Sequence, residues 1–121
     1  MSYDMYLIDP VTKEVLETTT EHLMTGGTYV VGGTKEMWLN ITYNYSSIFQ
    51  KVMGKDGIRK IEGMSAVDSI PILQSAINKL KDNVDSNYWN ATEGNAKRAL
   101  NQLLALAKMR PDGEWKITWR L

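Results

Sequence analysis

MWLNITYNY, residues 37–45, alternates in the manner of an extended strand. Successive side chains of a strand point to opposite faces. Leu39, Ile41, Tyr43 and Tyr45 therefore share one face, and Trp38, Asn40, Thr42 and Asn44 share the other. The first set is a core face. The second is a polar row, although asparagine is depleted in strands. The segment is expected to be a central strand, with the rest of the chain assembled around it.

Toward the N-terminus, residues 3–8 alternate in the same way, and Asp9-Pro10 marks a turn, because proline fixes φ and aspartate bonds its own backbone. Residues 13–18 read as a strand returning beside the first in a hairpin. Tyr29, Val30 and Val31 form a short strand bracketed by Gly26-Gly27-Thr28 and Gly32-Gly33-Thr34. Toward the C-terminus, Ser46 is placed to cap a short helix carrying Ile48, Phe49, Val52 and Met53, which Gly54 ends. A basic loop with Lys55, Gly57, Arg59 and Lys60 follows.

Ile70, Leu73, Ala76, Ile77, Leu80 and Val84 repeat at three and four, which predicts a helix over 69–82 with Pro71 in its first turn. A second helix is predicted over 92–109. Its apolar residues, Ala96, Ala99, Leu100, Leu103, Leu104, Leu106 and Ala107, cover more than one face, which places it centrally or in a homo-oligomer interface. Arg110-Pro111-Asp112-Gly113 has β-turn chemistry. Trp115, Ile117, Trp119 and Leu121 then alternate with polar residues as a last strand. The fold class expected is α+β: a mainly antiparallel sheet of four to five strands packed with two long helices and one short helix, in a single domain over 1–121.

The chain of 121 residues suffices for one core and falls short of two domains. Fourteen basic residues balance fourteen acidic ones, so general nucleic-acid binding through phosphates is not expected. Cysteine is absent, which removes disulfides, thiol nucleophiles and thiolate metal sites and suits a reducing compartment. The first residues carry neither the basic nor the apolar part of a signal peptide, and no apolar run approaches the ~20 residues of a membrane span. His22 is the one histidine and lies near no nucleophile-elbow motif. No catalytic residue, metal site or cofactor is expected. An all-carboxylate site would need clustered acids; Asp82 with Asp85 and Glu14 with Glu17 each read as a solvated surface.

Three features carry binding chemistry. Gly26, Gly27 and Thr28, with Gly32, Gly33 and Thr34, offer backbone amides that can converge on an anion, or else form plain turns. The row Asn40, Thr42 and Asn44 can donate and accept, and would line a pocket for a polar ligand unless it simply faces water. Tyr88 and Trp89 precede Thr92, a good N-cap, with Asn95 and Arg98 in the turns beyond. Stacking, free amides and the positive pole of a helix would together hold a base and a phosphate. Alternatively, Trp89 pins the incoming chain to the core as a hydrophobic staple. Gly94, costly in a first helical turn, signals a close approach by a neighbouring chain or a ligand.

NITYNYSSIF over 40–49, IPILQSAI over 70–77 and NYWNATEGNAKRALNQLLALAKMRPDGEW over 87–115 together resemble a set of short hypothetical proteins encoded by bacteriophages and prophages. The resemblance leaves out the strands up to Gly33. It implies the host cytoplasm as location and assigns no site, and by analogy it implies a host-takeover or anti-defence role. The leading expectation is a non-enzymatic phage accessory protein that binds a small polar, nucleotide-like ligand. The alternatives are an inhibitor or adaptor of a host protein, and a carboxylate- and metal-dependent enzyme. The leading expectation requires Asn40 and Asn44 to meet Trp89, Asn95 and Arg98 around one cavity.

Overall fold

The alternation of Tyr3, Met5 and Leu7 builds β1 (Ser2–Ile8), and this strand is the middle of the main sheet. The computed structural model describes residues 2–22, 34–87 and 90–120, with the backbone alone for residues 19–22, 34, 119 and 120. On one side β1 pairs antiparallel with β4 (Trp38–Thr42), Tyr3 opposite Ile41 and Met5 opposite Leu39. On the other it pairs antiparallel with β5 (Glu114–Arg120), Met5 opposite Ile117 and Leu7 opposite Trp115. Among the described residues, the order β4-β1-β5 places residues 38–42 at the edge of this sheet and not at its centre, where the alternation suggested them.

β2 (Glu17–His22) and β3 (Thr34–Glu36) form a second, two-stranded antiparallel sheet. The expected hairpin over 13–18 survives as a bridge between Ile8 and Val15 and the bonds from Asp9 N to Glu14 O and from Leu16 N to Leu7 O. Asp9 accepts from the amides of Val11 and Thr12 and turns the chain there. The four to five expected strands are therefore five described strands divided between two sheets. The strand expected at 29–31 lies outside the described residues.

Three helices cover one face of the main sheet. α1 (Ser46–Met53) ends at Gly54, whose φ of 100° suits glycine. Ser46 is its first residue; the cap position belongs to Tyr45, which makes no capping side-chain bond. α2 (Ala66–Asn78) starts three residues before the sequence indicated and ends short of Leu80. Ser65 Oγ accepts from Asp68 N, and Pro71 is tolerated inside the helix. α3 (Glu93–Met109) is capped by Thr92, as its sequence indicated. Among the described residues no helix is long and apolar enough to cross a membrane.

Met5, Leu7, Leu39, Ile41, Trp115 and Ile117 point from the sheet into one core with Phe49, Ile58, Ile61, Leu73, Leu100, Leu103 and Leu106. Trp115 locks the layers together. Its indole Nε1 donates to Ser69 Oγ at 2.8 Å, and that hydroxyl donates to Ala66 O at 2.7 Å. The apolar positions of α3 that suggested a central helix are covered within this one chain: Ala96, Ala99, Leu100, Leu103, Leu106 and Ala107 are all buried, and Leu104 packs partly against the core.

Candidate functional site

The polar row of β4 faces away from the helices. Pleating puts Asn40 opposite to Leu39 and Ile41, so its side chain lies on the outer face of the sheet with Asp4, its partner in register. Both are buried. Asn40 Nδ2 lies 2.8 Å from Asp4 Oδ1 and 3.0 Å from Ser2 Oγ, and Trp38 Nε1 donates to the same Asp4 oxygen at 3.0 Å. Buried polar atoms need partners, and here β1 supplies those of the Asn40 amide nitrogen. Thr42 is also buried, and its Oγ1 accepts from Asn44 N to cap a 3-10 turn over Tyr43–Tyr45. That turn takes exposed Asn44 out of the row. The expected row of three is thus two buried strand residues and one turn residue.

The start of α3 belongs to the helical layer, on the other side of the sheet. Lys51 of α1 stands 3.7 Å from Glu93, and Glu93 also accepts from Lys81 N at 3.2 Å beyond the end of α2. The two regions expected to share a cavity are therefore separated by the main sheet. That is a correction to the spatial expectation, and its cause is the pleat of β4.

The helix start is also chemically occupied. Thr92 Oγ1 accepts from Asn95 N at 3.1 Å, and Asn83 Oδ1 accepts from Gly94 N at 3.3 Å. A first turn whose amides are already bonded, with a carboxylate at Glu93, does not offer the open positive pole that an anion needs. Asn95 is almost completely buried. Its Oδ1 accepts from Asp85 N at 3.0 Å, and its Nδ2 donates to Asn87 O at 3.1 Å and Asn90 O at 3.0 Å. Asp85 accepts in turn from Asn87 N and Asn90 Nδ2, and these two bonds, the Asn90 amide foremost, hold its carboxyl below the ordinary carboxylate value. Thr92 and Asn95 thus organise the loop between α2 and α3.

The close approach at Gly94 is made by that loop. A Cβ built at Gly94 would stand 2.5 Å from both Asn83 C and Val84 N. These are backbone atoms, so relief requires the chain to move. Gly94→Ala is expected to cost about 1–3 kcal/mol or more, as overpacked sites do. Urea unfolding of the variant checks this, and a midpoint equal to the parent's would disprove the contact.

Where residues 82–84 cross α3, they leave an open groove of about 350 Å³ along its outer face. Gly94, Lys97, Arg98, Asn101, Gln102 and Ala105 line it from the helix, with Asp82 and Val84 opposite. The helical residues are spaced at three and four, so one face carries small residues at both ends and four polar ones between. Lys97 Nζ bonds Asp82 Oδ1 at 2.7 Å and reaches Leu80 O at 3.4 Å. Arg98 is half-buried. Of the expected ligand residues that are described, it alone lines this groove.

Of the polar stripe between the apolar positions of this helix, residue type and position in the sequence pointed to Arg98 alone. Residues 94, 97, 98, 101, 102 and 105 were legible as a face by the same periodicity. Tyr88, Trp89, Gly26, Gly27, Thr28, Gly32 and Gly33 lie outside the described residues, and Thr34 is known only as the backbone start of β3. Among the described residues, no group of three or more His, Cys, Asp or Glu is placed to hold a metal ion. His22 ends β2, opposite Thr34. No family model, curated protein or solved structure matches the chain.

Proposed function

We propose that this chain is a non-enzymatic binding protein, a phage accessory factor acting in the host cytoplasm, whose ligand is a small, polar, negatively charged molecule of nucleotide-like chemistry. The ligand lies in the groove along α3. The observation that carries this reading is the polar stripe of Lys97, Arg98, Asn101 and Gln102 bounded by Gly94, Ala105 and Val84. Ligand sites are typically concave, largely apolar and fitted with a few convergent polar groups, at about 300–1,000 Å³. Arg98 supplies a fork for an anionic oxygen, and the amides of Asn101 and Gln102 both donate and accept.

Thermal melting with a panel of mono-, di- and cyclic nucleotides tests the proposal. A ligand at about a hundred times its Kd stabilises the native state by about 2.7 kcal/mol, which raises the midpoint of a domain this size by roughly 10 °C. The expected result is such a rise with at least one nucleotide, lost in Arg98→Ala. No rise at millimolar concentration, or an undiminished rise in Arg98→Ala, refutes it.

Val84, half exposed at the lip of the groove, favours a second reading in which a host protein's side chain enters the same site and the chain acts as inhibitor or adaptor. Its signature is a host protein retained by the parent chain and released by Val84→Asp, with no nucleotide effect on melting.

A further inference from the structure

A second cavity, of about 220 Å³, lies apart from the α3 groove and shares no residue with it. Val52 and Met53 at the end of α1 and Ile72 of α2 supply apolar wall. Three polar side chains reach the same space: Lys60 from the 3-10 helix Gly57–Ile61, and Ser75 and Lys79 from α2 and its C-cap. Among the described residues no carboxylate lines it.

Lys60 and Lys79 belong, with Lys35, Lys55, Lys81, Lys108 and Lys116, to the lysines that form no ion pair among the described residues. Lys13, Lys51, Arg59, Lys97 and Arg110 each have a carboxylate within ion-pair distance. Two lysines that line one cavity with no carboxylate partner can both turn their ammonium groups to an anion there.

Lys79 stands at the carbonyl end of α2, a pole that by itself disfavours anions. There, however, two of the last carbonyls are already used: Ala76 O accepts from Lys79 N, and Ile77 O accepts from the amides of Lys79 and Leu80. The charge an incoming group meets is the ammonium.

Size and charge set the ligand class. Liquid water occupies about 30 Å³ per molecule, so the cavity holds about seven such volumes. That is room for a phosphate group with a few carbon atoms. A phosphate monoester carries about −1.5 to −2 charges at neutral pH, which two lysines neutralise. Val52, Met53 and Ile72 then face its carbon part. We infer that the cavity between α1, the 3-10 helix and α2 is a binding site for a small phosphate monoester, held by Lys60, Lys79 and the Ser75 hydroxyl.

Calorimetric titration with glycerol 3-phosphate, inorganic phosphate and uncharged glycerol tests the site on the full chain. Lys60, Ser75 and Lys79 are exposed, so their variants are expected to fold, which the melting midpoint verifies. The expected result is one-to-one binding of the phosphate compounds, tighter for the ester, with none for glycerol. Lys60→Gln and Lys79→Gln should each weaken it by about ten-fold or more, the value of one charge-assisted bond. Lys108→Gln, an exposed charge on α3 outside this cavity, should leave it unchanged. Absence of phosphate binding at millimolar concentration, or equal weakening by Lys108→Gln, overturns the inference. Arg98→Ala leaves this titration unaltered, which separates it from the nucleotide proposal.

Discussion

Trp115→Ala is expected to destabilise the chain by about 3–5 kcal/mol, the range for deleting a buried large aromatic. At a typical total stability of ~5–15 kcal/mol, that removes much of what the chain has. Trp115 is among the largest fully buried side chains and stands opposite Leu7 on the middle strand. Its backbone also accepts from Gly63 N and donates to Met64 O, tying the segment before α2 to the sheet. Ser69→Ala separates the two contributions. It keeps the packing but leaves the indole N–H unsatisfied, at a cost of about 1–3 kcal/mol. Chemical denaturation of both variants checks the account. A Trp115→Ala loss no larger than that of Ser69→Ala would show that the ring does not fill the core.

Asn95→Asp has an effect of similar size with a different signature. The Asn95 amide donates to two carbonyls, Asn87 O and Asn90 O. A carboxylate oxygen there would face both carbonyls with no proton between, so a buried charge is left uncompensated, at about 3–5 kcal/mol. Burial and the carbonyls favour the protonated acid, so the new group's pKa in the folded state is raised above its unfolded value. The destabilisation is therefore present at neutral pH and diminishes as the pH falls through that raised pKa, where one donor is restored. Urea midpoints of the parent and variant across pH 4 to 8 provide the check. A pH-independent difference would mean that Asn95 does not donate into this loop.

The parts of the fold that could be read in sequence are those governed by local rules. Thr92 and the apolar spacing after it locate α3 to within a residue, and the alternation around Trp115 locates β5. Pro71 misplaced the start of α2, because proline favours a first turn; the Ser65 cap and its bond from Asp68 N decide the true start. The row of Asn40, Thr42 and Asn44 looked like a ligand surface because each member was judged by residue type. Its actual partners, Ser2 and Asp4, lie far away in sequence and become neighbours only through the β1–β4 register. Gly94 gave a true signal of close approach, yet nothing local identifies residues 83 and 84 as the neighbour. The groove escaped notice because it is defined by a loop that long-range side-chain bonds fold back.

The direct test of the α3 groove is amide chemical-shift mapping of the isotope-labelled chain titrated with the nucleotide that raises its melting midpoint most. Shifts concentrated on residues 97, 98, 101, 102 and 105, with residues 82–84 following and Asn40 and Thr42 unmoved, are the result predicted. Saturable shifts that cluster on β4, or anywhere that leaves Arg98 and Asn101 untouched, would contradict it.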